Sequence, residues 1–158
     1  MTTFTHYTQA IVFNDTLSHV LLLTKLSGPA FLKGKDNYPG GHVEPGETAQ
    51  EGAARELEEE AGLKVQPSLF HSVTTLEFPN GKVDVFAAAI PDALFKTYQS
   101  LTAEPIRSEA VEAYLALSAL DPLRAPPDVP TNMALARDVL QSMQLSRQPM
   151  SSDCDLAT

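Results

Sequence analysis

Three glutamates, Glu56, Glu59 and Glu60, are separated by the i, i+3 and i+4 steps that place side chains on one face of a helix. Seven of the chain's 20 acidic residues fall between Glu44 and Glu60, against a single base, Arg55. Like charges at these spacings repel by roughly 0.2–0.5 kcal/mol per pair in an isolated helix, so something must offset the repulsion. Hard divalent cations select clustered carboxylate oxygens, and Mg²⁺ binds through one or two carboxylates, retained waters and substrate phosphates. An acidic run on a helix is more often a plain solvated face, so the weight falls on the spacing and its surroundings.

The surroundings supply a helix. Thr48 followed by Glu51 has the capping-box pattern after a Pro45-Gly46 turn, and Gly62 suits the left-handed residue past the helix end. At about 100° per residue, Ala53, Ala54, Leu57 and Ala61 form a narrow apolar stripe that should face the core. Glu56, Glu59 and Glu60 lie beside that stripe, while Glu51, Arg55 and Glu58 fall on the exposed arc.

Residues 40–63 resemble the Nudix box, Gly-x5-Glu-x7-Arg-Glu-U-x-Glu-Glu-x-Gly-U with U aliphatic. Every fixed position is filled: Gly41, Glu47, Arg55, Glu56, Leu57, Glu59, Glu60, Gly62 and Leu63. A nine-position match at fixed spacing, on a loop and helix that local signals support independently, is a specific signal. The resemblance implies a Nudix hydrolase, an α/β protein with an α/β/α sandwich around a mixed β-sheet. It also implies metal-dependent attack of water on a diphosphate linkage. Glu56, Glu59 and Glu60, with the carbonyl of Gly40, would hold Mg²⁺ or Mn²⁺. Glu59 and Glu60 would also serve the chemistry, and a Glu47–Arg55 ion pair would support the loop.

The remaining composition fits this reading. The chain's 158 residues suit one domain, expected over 1–144, with a disordered polar tail over 145–158. No apolar run is long enough to span a bilayer, and the start lacks a secretory pattern, so a cytoplasmic location is expected. Cys154 is a lone thiol in the polar tail and reads as incidental. A net charge of −9 opposes DNA or RNA binding and favours a small phosphorylated substrate approached through a cation. Whether the chain forms a homodimer is left open.

Along the chain, residues 9–13 and 19–24 read as paired strands, and 26–37 as a loop whose neighbouring lysines could steer phosphates. Strands are expected over 69–78 and 82–90, flanking a Pro79-Asn80-Gly81 hairpin. Residues 91–101 read as a loop with a helical turn. A last strand is expected over 111–117, a short turn or helix over 118–123, and a proline-rich connection over 124–129. A core-packed helix over 131–144 follows from Met133, Leu135 or Ala136, Val139 or Leu140, and Met143.

Two further roles rest on the resemblance. The general base of some members lies in a loop before the last strand, where Glu109 is the candidate, with Glu104 and Glu112 as alternatives. Asn37, four residues before Gly41, occupies the place of a base-contacting Asn in members that sanitise oxidised purine nucleotides, although the adjoining Tyr38 departs from their glycine. Asn37 and Tyr38 are therefore the substrate-binding candidates. A nucleoside tri- or diphosphate is the favoured substrate. By the same resemblance ADP-ribose or a nucleotide sugar is the alternative, since Pro79 lies 16 residues beyond Leu63, where ADP-ribose-cleaving members often carry a proline. The alternative of another class is a sensor that binds a nucleotide metabolite without cleaving it. Such domains usually lose box carboxylates, and this chain keeps them.

Overall fold

The structure, a computed structural model, describes residues 3–147. Its centre is strand β1 (Thr5–Asn14), whose Ala10-Ile11-Val12-Phe13 run is apolar at every position because both faces of the strand are covered. β1 pairs in parallel with β6 (Gly81–Ile90) along its whole length, and antiparallel with β2 (His19–Thr24) at Phe13 and Val20. Beyond that point β1 and β2 diverge. The short strands β3 (Asp36–Asn37), on β2, and β4 (Gly40–His42), on β1, fill the fork between them. β5 (His71–Phe78) pairs with β6, and β7 (Ile106–Ala110) pairs with β2. The result is one mixed, seven-stranded sheet.

Helix α1 (Ala49–Ala61) covers one face. Ala53, Leu57 and Ala61 pack there against Ala10, Val12, Leu21 and Leu23, as the stripe requires. Phe95 of the short helix α2 (Asp92–Phe95) joins the same cluster. The opposite face is covered by α3 (Val111–Leu120) and α4 (Asp128–Arg147), whose Tyr114, Met133, Ala136 and Leu140 pack on Ile11, Phe13 and Leu22. Each fully buried aliphatic or aromatic side chain contributes about 1.5–3 kcal/mol. This is the α/β/α sandwich expected. Among the described residues no helix is long and apolar enough to cross a membrane.

Three expectations need correction. The segment expected as a last strand over 111–117 is helix α3; the strand lies just before it, at Ile106–Ala110. Val111, Tyr114, Leu115 and Ser118, at helical spacing, are its buried or half-buried positions, and the alanines between them favour helix. The hairpin forms, but its two-residue turn is Pro79-Asn80, because Gly81 already pairs with Phe78. Gly81 does not take a left-handed φ there. A side chain on it would strike the Thr5 carbonyl, so close strand approach requires the glycine. Finally, α4 begins at Asp128 and runs to Arg147, past the expected end at residue 144. The remainder of the expected tail, including Cys154, lies outside the described residues.

Candidate active site

The loop and helix of the acidic stretch are held by local chemistry. The Thr48 hydroxyl accepts from the Glu51 N–H (3.1 Å), and the Glu51 carboxylate accepts from the Thr48 N–H (3.0 Å). Gly62, at φ 70°, closes the far end. Thr8 of β1 donates to the Ala49 carbonyl (2.8 Å) and fixes the helix start to the sheet. Arg55 donates to Glu47 from Nε and Nη2 (3.1 and 2.7 Å), and from Nη2 to the His42 carbonyl (2.9 Å). The hydrogen bond from Arg55 holds the Glu47 carboxyl below its ordinary range. The ion pair thus clasps the loop to α1.

Above this clasp, Glu60 Oε1 accepts from the Gly40 N–H (2.9 Å). Glu56 lies against Gly41, where any Cβ would overlap its carboxylate. Burial first, and then Glu56 and the more distant charge of Glu104, push the Glu60 carboxyl up to about 8. The Gly40 N–H opposes this shift. Two carboxylates crowded on glycine backbone, with one held largely protonated by burial, are hard oxygen donors of the kind that could hold a divalent cation. Glu56, Glu60 and Gly40 come together as expected. Glu59 is half-exposed, and its carboxylate shares Arg55 Nη1 with that of Glu56, at 3.2 and 3.1 Å. Among the described residues no three acidic, histidine or cysteine side chains converge on one point.

A pocket of about 800 Å³ opens beside Gly40, Gly41 and His42 and extends to Asn37, Phe31, Phe78 and Asp128. Asn37 is locked, its Oδ1 accepting from the Tyr38 N–H (2.9 Å) and from Gln9 Nε2 (3.0 Å). Those two donors leave the Asn37 amide NH₂ as the group available to a ligand. Tyr38 lines the pocket, but its ring is buried and its hydroxyl is committed to the Val129 carbonyl. Burial raises the pKa of that phenol well above its usual value. Of the three loop lysines, only Lys25 lines the pocket.

The candidates for a base beyond the box separate clearly. Glu109 is in strand β7, not in a loop, and its carboxylate pairs with Arg107 (2.8 Å). Ile106 packs in the α1-side core, so the alternation of the strand turns Arg107 and Glu109 to the other face. There Arg107 also meets Asp36 (2.9 Å), itself bonded to the Tyr114 hydroxyl of α3 (2.7 Å). Glu109 therefore faces away from Glu56 and Glu60. Glu112 is an exposed residue of α3 paired with Arg137 of α4. Glu104 alone of the three contributes to the charge felt by Glu60. Burial raises the Glu104 pKa, but the N–H groups of Leu26 and Ser27 and the charge of Lys25 outweigh this and hold it low. Gln9, Asp128 and the backbone partners of Glu104 carry no local motif, so the sequence offered no signal for them.

A sandwich of this topology, with a glutamate-bearing helix set against the fork of a mixed sheet, defines a Nudix-type fold. Residues 5–133 match the NUDIX domain model, and the chain belongs to that family. Among its relatives is a Schizosaccharomyces pombe NAD-capped RNA hydrolase, 27% identical over 84% of this chain and 35% of that protein. An Escherichia coli 8-oxo-dGTP diphosphatase is 30% identical over 42% of this chain and 51% of its own length. The human 8-oxo-dGDP phosphatase NUDT18 is 29% identical over 95% of this chain and 45% of that protein. The chain thus spans about a third to a half of the curated relatives it matches. A solved MutT, from a study of Aliivibrio salmonicida and Vibrio cholerae, superposes with TM-score 0.62 at 25% identity, covering 82% of this chain and 97% of that one. The NUDIX domain of Shewanella oneidensis NrtR, solved with ADP ribose, gives TM-score 0.66 at 16% identity over 89% and 90% of the two chains. The NrtR likeness shows the fold.

Proposed function

We propose that the chain hydrolyses the phosphoanhydride of a nucleoside tri- or diphosphate, with an oxidised purine nucleotide as the favoured form. The observation that carries this reading is the pocket itself. Its Gly40–His42 end adjoins the carboxylates of Glu56 and Glu60, and its other end offers Asn37, Asp128 and two exposed rings, Phe31 and Phe78. A flat base stacks on such rings. The Asn37 amide donates and the Asp128 carboxylate accepts, which suits a purine edge carrying both kinds of group.

Glu56, Glu60 and the Gly40 carbonyl would hold the Mg²⁺ or Mn²⁺, which supplies the positive charge and water activation that the chain's own side chains lack. Gly40 lets β4 close on the Thr8 backbone, and Gly41 lets the Glu56 carboxylate lie against the pocket's backbone edge. Lys25 lines the same pocket, with its ammonium 3.5 Å from the Glu104 carboxylate. Glu59 accepts from Arg55 through Oε2 alone, and its other carboxylate oxygen is the one assigned to take a proton from the attacking water. Water oxygen bonds to phosphorus, the bridging P–O bond breaks, and two phosphorylated products leave.

ADP-ribose is the second reading, favoured by the pocket's volume of about 800 Å³ and by the fold shared with a domain solved with it. A metal-dependent screen separates the readings: 8-oxo-dGTP, 8-oxo-dGDP, their unmodified forms, ADP-ribose, NAD and nucleotide sugars, with products identified. Preference for ADP-ribose or NAD replaces the first reading. Tight binding without turnover of any substrate replaces both with a sensor.

A further inference from the structure

The pocket wall made by Lys25, Ser27, Gly28, Pro29, Phe31 and Leu32 has almost no core beneath it. Residues 26–31 are all exposed, and the 3-10 turn at Ala30–Leu32 buries nothing. The neck of this loop is closed by the Lys25 N–H to the Lys35 carbonyl (2.9 Å) and the Gly34 N–H to the Lys25 carbonyl (2.6 Å). Its outer arm is held by a single side chain. Glu104 Oε2 accepts from the N–H groups of Leu26 (2.7 Å) and Ser27 (3.2 Å) and from the Ser27 hydroxyl (3.3 Å). The Lys25 ammonium lies 3.5 Å from the same oxygen. Glu104 is itself braced, since its N–H donates to the Thr102 hydroxyl (3.2 Å) and the neighbouring Pro105 carbonyl accepts from the Thr24 N–H (2.9 Å).

We propose that Glu104 is a positioning residue: its carboxylate ties residues 25–27 to the strand-entry loop, sets the pocket wall for the substrate, and takes no part in proton transfer. This rests on the hydrolase reading for its kinetic consequence, but not for its structural one. What the tie needs from residue 104 is an oxygen acceptor at full side-chain length. A general base needs a carboxylate. Glutamine keeps the acceptor and loses the base, whereas aspartate keeps a carboxylate and loses the reach, so the two substitutions cross over.

The experiment measures backbone amide exchange at Leu26 and Ser27 in the full chain, together with steady-state kinetics on the best substrate of the screen. For Glu104→Asp, exchange at both amides should rise about tenfold or more as the tie opens, and KM should rise with little change in kcat. For Glu104→Gln, exchange and KM should stay within about threefold of wild type, because a neutral acceptor is weaker than a charged one but still bonds. A Glu104→Gln enzyme with normal exchange and kcat down by about a hundredfold or more would overturn the proposal in favour of a base. Unchanged exchange in Glu104→Asp would overturn it outright. If no substrate is turned over, the exchange results still decide the role of Glu104, while the hydrolase reading fails separately.

Discussion

Replacing Glu60 with Gln in cation-free protein should change how stability responds to pH, and the direction follows from its burial. The carboxyl titrates at about 8 when folded, against 4.5 for its ordinary value. Between those values the folded chain holds a proton that the unfolded chain has released, so unfolding free energy falls as pH rises. The contribution is fully present below about pH 4.5 and is lost as pH climbs through 8. At about 1.4 kcal/mol per pKa unit the upper limit is about 5 kcal/mol, and relaxation of the carboxylate toward water brings it to about 2–5 kcal/mol. Urea melts at pH 6 and pH 9 in chelator span about two of those pKa units, so wild type should lose up to about 2.7 kcal/mol more stability than Glu60→Gln over the interval. Added Mg²⁺ should restore wild type at pH 9 and leave the variant unchanged. Parallel loss in the two proteins, or a wild type that gains stability at pH 9 without metal, would refute the reasoning.

The other expectations concern the catalytic end. Excess chelator should abolish hydrolysis of the best substrate and Mg²⁺ or Mn²⁺ should restore it, as followed by product release. Glu60→Gln should cost orders of magnitude in rate, whereas Glu58→Gln, exposed and outside the acidic pair, should stay within about twofold of wild type in the same assay. Gly41→Ala should leave the melting midpoint close to wild type while weakening Mg²⁺ binding in titration calorimetry, because only the Glu56 carboxylate must move. Gly40→Ala should lower stability by roughly 1–3 kcal/mol, since its Cβ would overlap the Thr8 backbone, which cannot swing aside. Glu109→Gln should keep kcat within about threefold of wild type, because its carboxylate faces away from the acidic pair.

The acidic helix was legible because its determinants are local. Caps, apolar stripe and glutamate spacing all lie within residues 40–63, and each appears in the structure where the spacing puts it. β1, β2 and the hairpin strands were legible for the same reason. Val111, Tyr114 and Leu115 were misread because an apolar stretch seven residues long fits either a strand or a helix turn, and what decides it is the α4 surface that α3 packs against. β7 was missed because Arg107 and Glu109 make it look like a loop; Arg107 pairs with Glu109 beside it and with Asp36, 71 positions earlier in the chain. Glu104 as a clasp was equally invisible, since its partners are backbone amides 77 and 78 residues away.

The fork between β1 and β2 turns the sheet from a wall into a window. The glycines of β4 stand in that window, between the α1 side, which carries the carboxylates, and the α4 side, which carries Phe78 and Asp128. On the proposed reading, choosing a molecule and cutting it fall to opposite surfaces that share a strip of backbone. Sequence drift in the segments around Phe78 and Asp128 can alter which base is admitted without moving a single atom of the acidic helix. The reverse freedom does not exist, because a side chain added at Gly40 would strike the Thr8 backbone and one added at Gly41 would displace the Glu56 carboxylate. Such a layout lets one cutting device be inherited unchanged while its clientele is rewritten from the far side.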